Sequence, residues 1–90
     1  MKGSKIEDYR KKIDSIDKKV LELLNRRAKI AIKIGEIKKI NKIKVKAPER
    51  ERKILENLKK IKSGPFSDQA IQKIFKTIII ESRKLQSDLK

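Results

Sequence analysis

Ninety residues suit one small domain, and the 37% hydrophobic content is almost all aliphatic, with Tyr9, Phe66 and Phe75 the aromatic residues. The chain has no cysteine and no histidine, which excludes disulfides, thiolate or imidazole metal sites and any nucleophile–histidine relay; no metal or cofactor is expected. Against 12 Asp and Glu stand 27 Lys and Arg, a net charge of +15, so the expected partners are anionic: a small polyacid, nucleic acid or an acidic surface.

Helical periodicity dominates and no alternating strand pattern appears. The first element runs over about residues 5–40, with Ile6, Tyr9, Ile13, Ile16, Val20, Leu23, Leu24, Arg27, Ala31, Ile34, Ile37 and Lys38 on one stripe. No proline interrupts it, and Gly35 is its one weak point. Residues 41–47, "NKIKVKA", carry no helical stripe and read as a mobile loop. A second helix is expected over 48–63, because Pro48 suits a first helical position and Glu49 and Glu51 suit the positive end of the helix dipole. Its buried face would be Ile54, Leu55, Leu58 and Ile61. In "SGPFSDQA", Gly64 is expected to take a left-handed cap conformation, Pro65 to prevent continuation, and Ser67 to cap a third helix over 67–89. Phe66 and Ile71 are spaced as a hydrophobic staple. The inner stripe of the third helix reads Ile71, Ile74, Phe75, Ile78, Ser82, Leu85 and Leu89, with Gln86 one turn beyond Ser82.

The expected class is all-α, a single domain over 1–90 of three helices with one very long N-terminal helix. At 1.5 Å per residue that helix would be about 50 Å long, against a radius of gyration of about 12 Å for a compact chain of this size. Two shorter helices cannot cover such a rod, so an intertwined homodimer is expected, its long helices side by side. A break at Gly35, giving a four-helix monomer, is the alternative. No apolar run approaches the ~20 residues of a membrane span, and the N-terminus lacks a signal-peptide stretch, so the expectation is a soluble cytoplasmic chain without membrane association.

Arg27 and Lys38 interrupt the apolar stripe three turns apart. Such cations either snorkel to water or meet an anion, since a buried unpaired charge costs several kcal/mol. Ser82 and Gln86, at i and i+4, interrupt a second inner face, and Arg50 and Glu51 open the second helix. Glu36 or Glu51 could meet such a cation internally, although the acidic residues are too few to neutralise all the bases, and an imported carboxylate is the other possibility. Taken together the interruptions suggest one polar chamber in a helical bundle.

On these motifs the chain resembles the all-helical chorismate mutases, over roughly residues 5–90. The anchors are "YRKKIDSIDKKVLELLNRRAKIAIKIGEIK", "PERERKILENL" and "GPFSDQAIQKIFKTIIIESRKLQ". The resemblance implies rearrangement of chorismate, a small dicarboxylate, to prephenate, in phenylalanine and tyrosine biosynthesis. Carried over motif by motif, the carboxylate-binding arginines fall on Arg10 and Arg27, and the ether-oxygen donors on Lys38 and Gln86. Glu51 would accept from the ring hydroxyl with Ser82 assisting, while Arg50 would add positive potential and hold Glu51 in place. Ala47 departs from the acidic residue that many relatives have before the "P-x-R-E" segment. Arg10 and Arg27 are seventeen residues apart, about 25 Å along a helix, so serving one diacid requires Arg10 from the other subunit. The "GPF" stretch looks most like mutase domains fused to the first synthase of the shikimate pathway, which implies a synthase partner.

Two other functions compete with this one. An isochorismate-pyruvate lyase would use the same fold on a similar diacid. A basic helical nucleic-acid-binding or regulatory module would fit the charge, but the chain lacks a helix-turn-helix signature and has few aromatic residues for stacking, so nucleic acid is set aside as a partner.

Overall fold

The computed structural model describes residues 2–61 and 63–89. Met1 and Lys90, the ends of the expected domain, and Lys62, in the expected second helix, lie outside the described residues. Three α-helices make up the fold, α1 (Lys2–Ile40), α2 (Pro48–Ile61) and α3 (Asp68–Ser87), and the described residues include no strand. The chain divides into two units, residues 1–30 and 31–90, with the boundary inside α1.

In the first unit the helix starts three residues earlier than its apolar stripe suggests and includes Gly3, whose modest helix cost does not stop it. Ile6, Tyr9, Ile13, Ile16, Val20 and Leu23 follow the expected stripe, and each stays 47–58% exposed in the single chain. Leu24, Arg27 and Ala28 are half-buried. The Lys12 ammonium lies 5.4 Å from the centre of the Tyr9 ring, in cation–π range.

The second unit has a core of its own. Ala31 of α1 and Ile79 of α3 are each only 6% exposed, and Ile54, Leu55 and Leu58 of α2 with Ile71, Phe75 and Ile78 of α3 are half-buried around them. The inner face of α1 here is Ala31 and Gly35, while Ile34, expected inside, is largely exposed. Small side chains allow the closer helix approach, so the contact runs along them. Ile61 also departs from expectation: it is the last residue of α2 and is 71% exposed. Ile74 and Leu85, expected on the inner stripe of α3, are likewise exposed.

The ends of the helices in this unit follow from side-chain and backbone capping. Ser67, extended at φ −71° and ψ 163°, accepts a 3.1 Å hydrogen bond from the Ala70 amide, as an N-cap should. Phe66 and Ile71 line one shallow apolar depression with Leu58 and Phe75, consistent with the staple. The left-handed residue is not where the sequence suggests. No glycine among the described residues has positive φ, so Gly64 turns the chain without it, whereas Lys42 has φ 56°. The Ile43 amide donates to the Lys38 carbonyl at 2.7 Å and the Lys42 amide to the Lys39 carbonyl at 3.3 Å. That pair of bonds is a Schellman motif with Lys42 at the position glycine usually fills. It anchors the start of the 41–47 connection to the last turn of α1.

Candidate active site

Four of the seven candidate residues, Lys38, Glu51, Ser82 and Gln86, fall in the second unit and are half-buried there. Lys38 is the residue whose carbonyl the Schellman motif caps, and its own ammonium donates to the Val45 carbonyl at 2.9 Å. The connection therefore holds this lysine by both backbone and side chain. An ammonium has three N–H donors, and this bond uses one.

Gln86 reaches across to α1. Its Nε2 donates to the Ala31 carbonyl at 2.9 Å, a contact between residues 55 apart in sequence. A carbonyl only accepts, which fixes the amide nitrogen, and not Oε1, on the α1 side. Gly35 lies beside this contact: a Cβ there would stand 2.8 Å from Gln86 Cγ. Lys38 is one turn further along α1, and Ser82 is one turn before Gln86 on α3. The Ser82 hydroxyl donates to the Ile78 carbonyl at 2.8 Å, the back-bond usual for serine inside a helix.

Glu51 sits in the first turn of α2, where its amide donates to the Ala47 carbonyl at 3.0 Å. Its carboxylate lies 3.3 Å from Nε of Arg83 on α3, with the two side chains 22% and 32% exposed. The buried Arg83 Nε has no aligned hydrogen-bond acceptor, so the pair is held by charge more than by a directed bond. Arg50 is expected to hold Glu51 in place, whereas the cation found against Glu51 is Arg83. Its signal is present in the sequence, because Arg83 lies between Ile79 and Gln86 at helical spacing, a cation on the inner side of α3. Arg50 itself is exposed and borders a shallow groove along α2 with Glu49, Lys53 and Asn57.

The two remaining candidates belong to the first unit. Arg27 is half-buried. Arg10 is exposed and pairs with Glu7, three residues earlier, at 2.7 Å, with side chains 67% and 59% exposed. An ion pair that open to water contributes little and is readily exchanged for another anion.

Chemically, the second unit offers an ammonium and an amide N–H set to donate, and a carboxylate set to accept. Such a set can polarise a solute and hold its hydroxyl, with no activated nucleophile in the design. No helix among the described residues is long and apolar enough to cross a membrane.

Residues 9–87 match the family described as chorismate mutase type II. A bifunctional chorismate mutase/prephenate dehydratase of Aquifex aeolicus is 39% identical over 89 residues, which cover 94% of this chain. The chain spans about a quarter (25%) of the length of that relative. Among solved structures, form II of the Thermus thermophilus chorismate mutase superposes with a TM-score of 0.93 at 30% identity, covering 96% of this chain and 98% of that one. The Helicobacter pylori chorismate mutase in complex with prephenate superposes with a TM-score of 0.87 at 30% identity, covering 97% and 99%.

Proposed function

Because this chain belongs to the chorismate mutase type II family, we propose that it is itself a chorismate mutase, an isomerase converting chorismate to prephenate. The observation that carries the reading is that Lys38, Glu51 and Gln86 lie half-buried in one unit, each held by a contact to another segment: Val45, Arg83 and Ala31. The prephenate complex of the Helicobacter pylori enzyme supports the choice of substrate and product.

In this rearrangement the ether C–O bond of the enolpyruvyl group breaks as a C–C bond forms across the same ring, and no proton is gained or lost. The protein's task is to hold a dicarboxylate in its compact conformation and to stabilise negative charge growing on the ether oxygen. Lys38 and Gln86 donate to that oxygen, one charged and one neutral. Arg27 grips one carboxylate, a job suited to the planar guanidinium fork. Glu51 accepts from the ring hydroxyl with Ser82 beside it, and Arg50 adds positive potential.

Arg10 completes the site from a second subunit. Arg10 and Arg27 are seventeen residues apart on one helix, about 25 Å, which no single diacid spans. The apolar stripe from Ile6 to Leu23, open in the single chain, supplies the surface on which two long helices would pair as an intertwined homodimer. Residues 1–90 act in this reading as one helical domain of a cytoplasmic enzyme. The Aquifex aeolicus relative, a bifunctional chorismate mutase/prephenate dehydratase, supports association with a second enzyme; a synthase in that place rests on the "GPF" stretch alone.

The test is ultraviolet loss of chorismate on adding purified protein, with the product identified as prephenate. Arg27→Ala and Lys38→Ala should each lower kcat/KM by at least about a hundredfold, the scale of removing one preorganised donor. Pyruvate released from isochorismate, with chorismate untouched, would replace the mutase reading by the lyase.

A further inference from the structure

Taking the mutase reading as given, we infer that Gly35 is a positioning residue: its missing side chain gives Gln86 the seat on α1 from which its amide is aimed. Local propensity does not explain a glycine there. The helix runs unbroken through it with ordinary backbone angles, and alanine is the better helix former. Close approach does explain it. Gly35 is buried, and a Cβ at this position would meet Gln86 Cγ at 2.8 Å, Leu89 Cδ1 at 2.9 Å and Gln86 Cβ at 3.0 Å. The Leu89 methyl can swing away. The two Gln86 atoms cannot, because they are the stem of the side chain next to the α3 backbone. A methyl group at residue 35 therefore either pushes α3 back or rotates the whole Gln86 side chain out, and both break the 2.9 Å bond from Nε2 to the Ala31 carbonyl.

That bond decides what the amide presents. An amide end that contacts nothing can flip, offering its oxygen as readily as its nitrogen. With one N–H tied to the Ala31 carbonyl, the nitrogen is fixed in place and its second N–H is left for another acceptor. The ether oxygen of the substrate accepts hydrogen bonds, so only the nitrogen end helps, and the oxygen end would repel the developing charge. Ala31 being an alanine fits the same arrangement, since its carbonyl is reached over a small, buried side chain. Gly35 touches no reacting atom in this scheme and acts through Gln86.

The experiment compares wild type, Gly35→Ala, Gln86→Met and the double variant by steady-state turnover of chorismate, with circular dichroism to verify folding. Gly35→Ala should lower kcat by about tenfold or more with KM changed by less than about threefold, the pattern of a lost transition-state contact. In the Gln86→Met background the same substitution should change kcat by less than about twofold, because the interaction it disturbs is already gone. Wild-type kcat in Gly35→Ala, or a loss that multiplies in full on Gln86→Met, overturns the inference. Should Gly35→Ala fail to fold, the wild-type protein decides the matter by NMR. A slowly exchanging Gln86 side-chain amide with a cross-peak to the Gly35 α-protons is expected, and a rapidly exchanging one without it overturns the seat. Absence of chorismate turnover in the wild type, with that cross-peak present, sinks the mutase reading and the catalytic role together. Turnover that is indifferent to Gly35→Ala sinks the positioning role alone.

Discussion

Residues 1–30 and residues 31–90 differ in what becomes of their apolar side chains. In the second unit, α2 and α3 turn Ile54, Leu55, Leu58, Ile71, Phe75 and Ile78 toward a small core around Ala31 and Ile79. In the first, six large residues at helical spacing remain about half exposed, with nothing in the same unit to cover them. A contiguous apolar stripe flanked by charge marks an interaction surface. An amphipathic pattern thus reports that a face is buried without saying by what. Here the same 3.6-residue rhythm serves an internal core in one unit and, in the proposed dimer, an interface in the other.

The contrast is broken most severely by placing a charge on the open stripe. If the proposed dimer forms, Ile16→Asp should convert it to a monomer by sedimentation equilibrium and cut turnover by about two to three orders of magnitude, since Arg10 would then no longer be supplied by a second subunit. Arg10→Ala should lose turnover on the same scale yet sediment as the wild type, because an exposed arginine paired only with Glu7 contributes little to assembly. A monomeric Ile16→Asp protein with full activity would show that the site needs one chain alone.

Much of the fold was legible because its signals are local. Helix type, the start at Pro48 and the Ser67 cap depend on residues within a few positions of one another, and the structure has them so, with α3 running Asp68–Ser87 where 67–89 is expected. What was hidden depended on approach between segments. Gly35 looked like a weak point in α1 and is a buried contact with Gln86, a fact that no window of sequence contains. The left-handed cap was given to Gly64, where glycine makes it cheap, but falls on Lys42, where the Schellman bonds at the end of α1 hold it. Lys38, Glu51 and Gln86 stood out in the sequence as polar interruptions. Of their partners, Val45 and Ala31 do not stand out, because each contributes only a backbone carbonyl, which carries no residue identity, whereas Arg83 is legible as a cation at helical spacing between Ile79 and Gln86.

Arg83 sharpens the comparison from the other side, since it works within the second unit. Replacing it with leucine keeps the half-buried stem and removes the charge beside Glu51. The carboxylate then loses the cation beside it, and kcat/KM for chorismate should fall by about fivefold, roughly the 1 kcal/mol at the upper end for such a pair. Sedimentation should be unchanged. An Arg83→Leu enzyme with wild-type kcat/KM would mean that Glu51 is held by the α2 backbone alone.

The smallest effect belongs to Ser67, whose hydroxyl caps α3 far in sequence from the stripe. Ser67→Ala should cost about 1 kcal/mol, seen as a Tm lower by roughly 4–8 °C, with kcat unchanged. The informative measurement is how that shift varies with protein concentration. If folding is coupled to dimerisation, Tm of the wild type rises with concentration by mass action. In the proposed dimer the interface is the stripe from Ile6 to Leu23 and not this helix end, so the wild-type and Ser67→Ala curves should run parallel over the whole range. In Ile16→Asp the concentration dependence itself should vanish. Curves for Ser67→Ala that converge with the wild type at high concentration would mean that the α3 N-terminus is covered in the dimer, extending the interface from the first unit into the second.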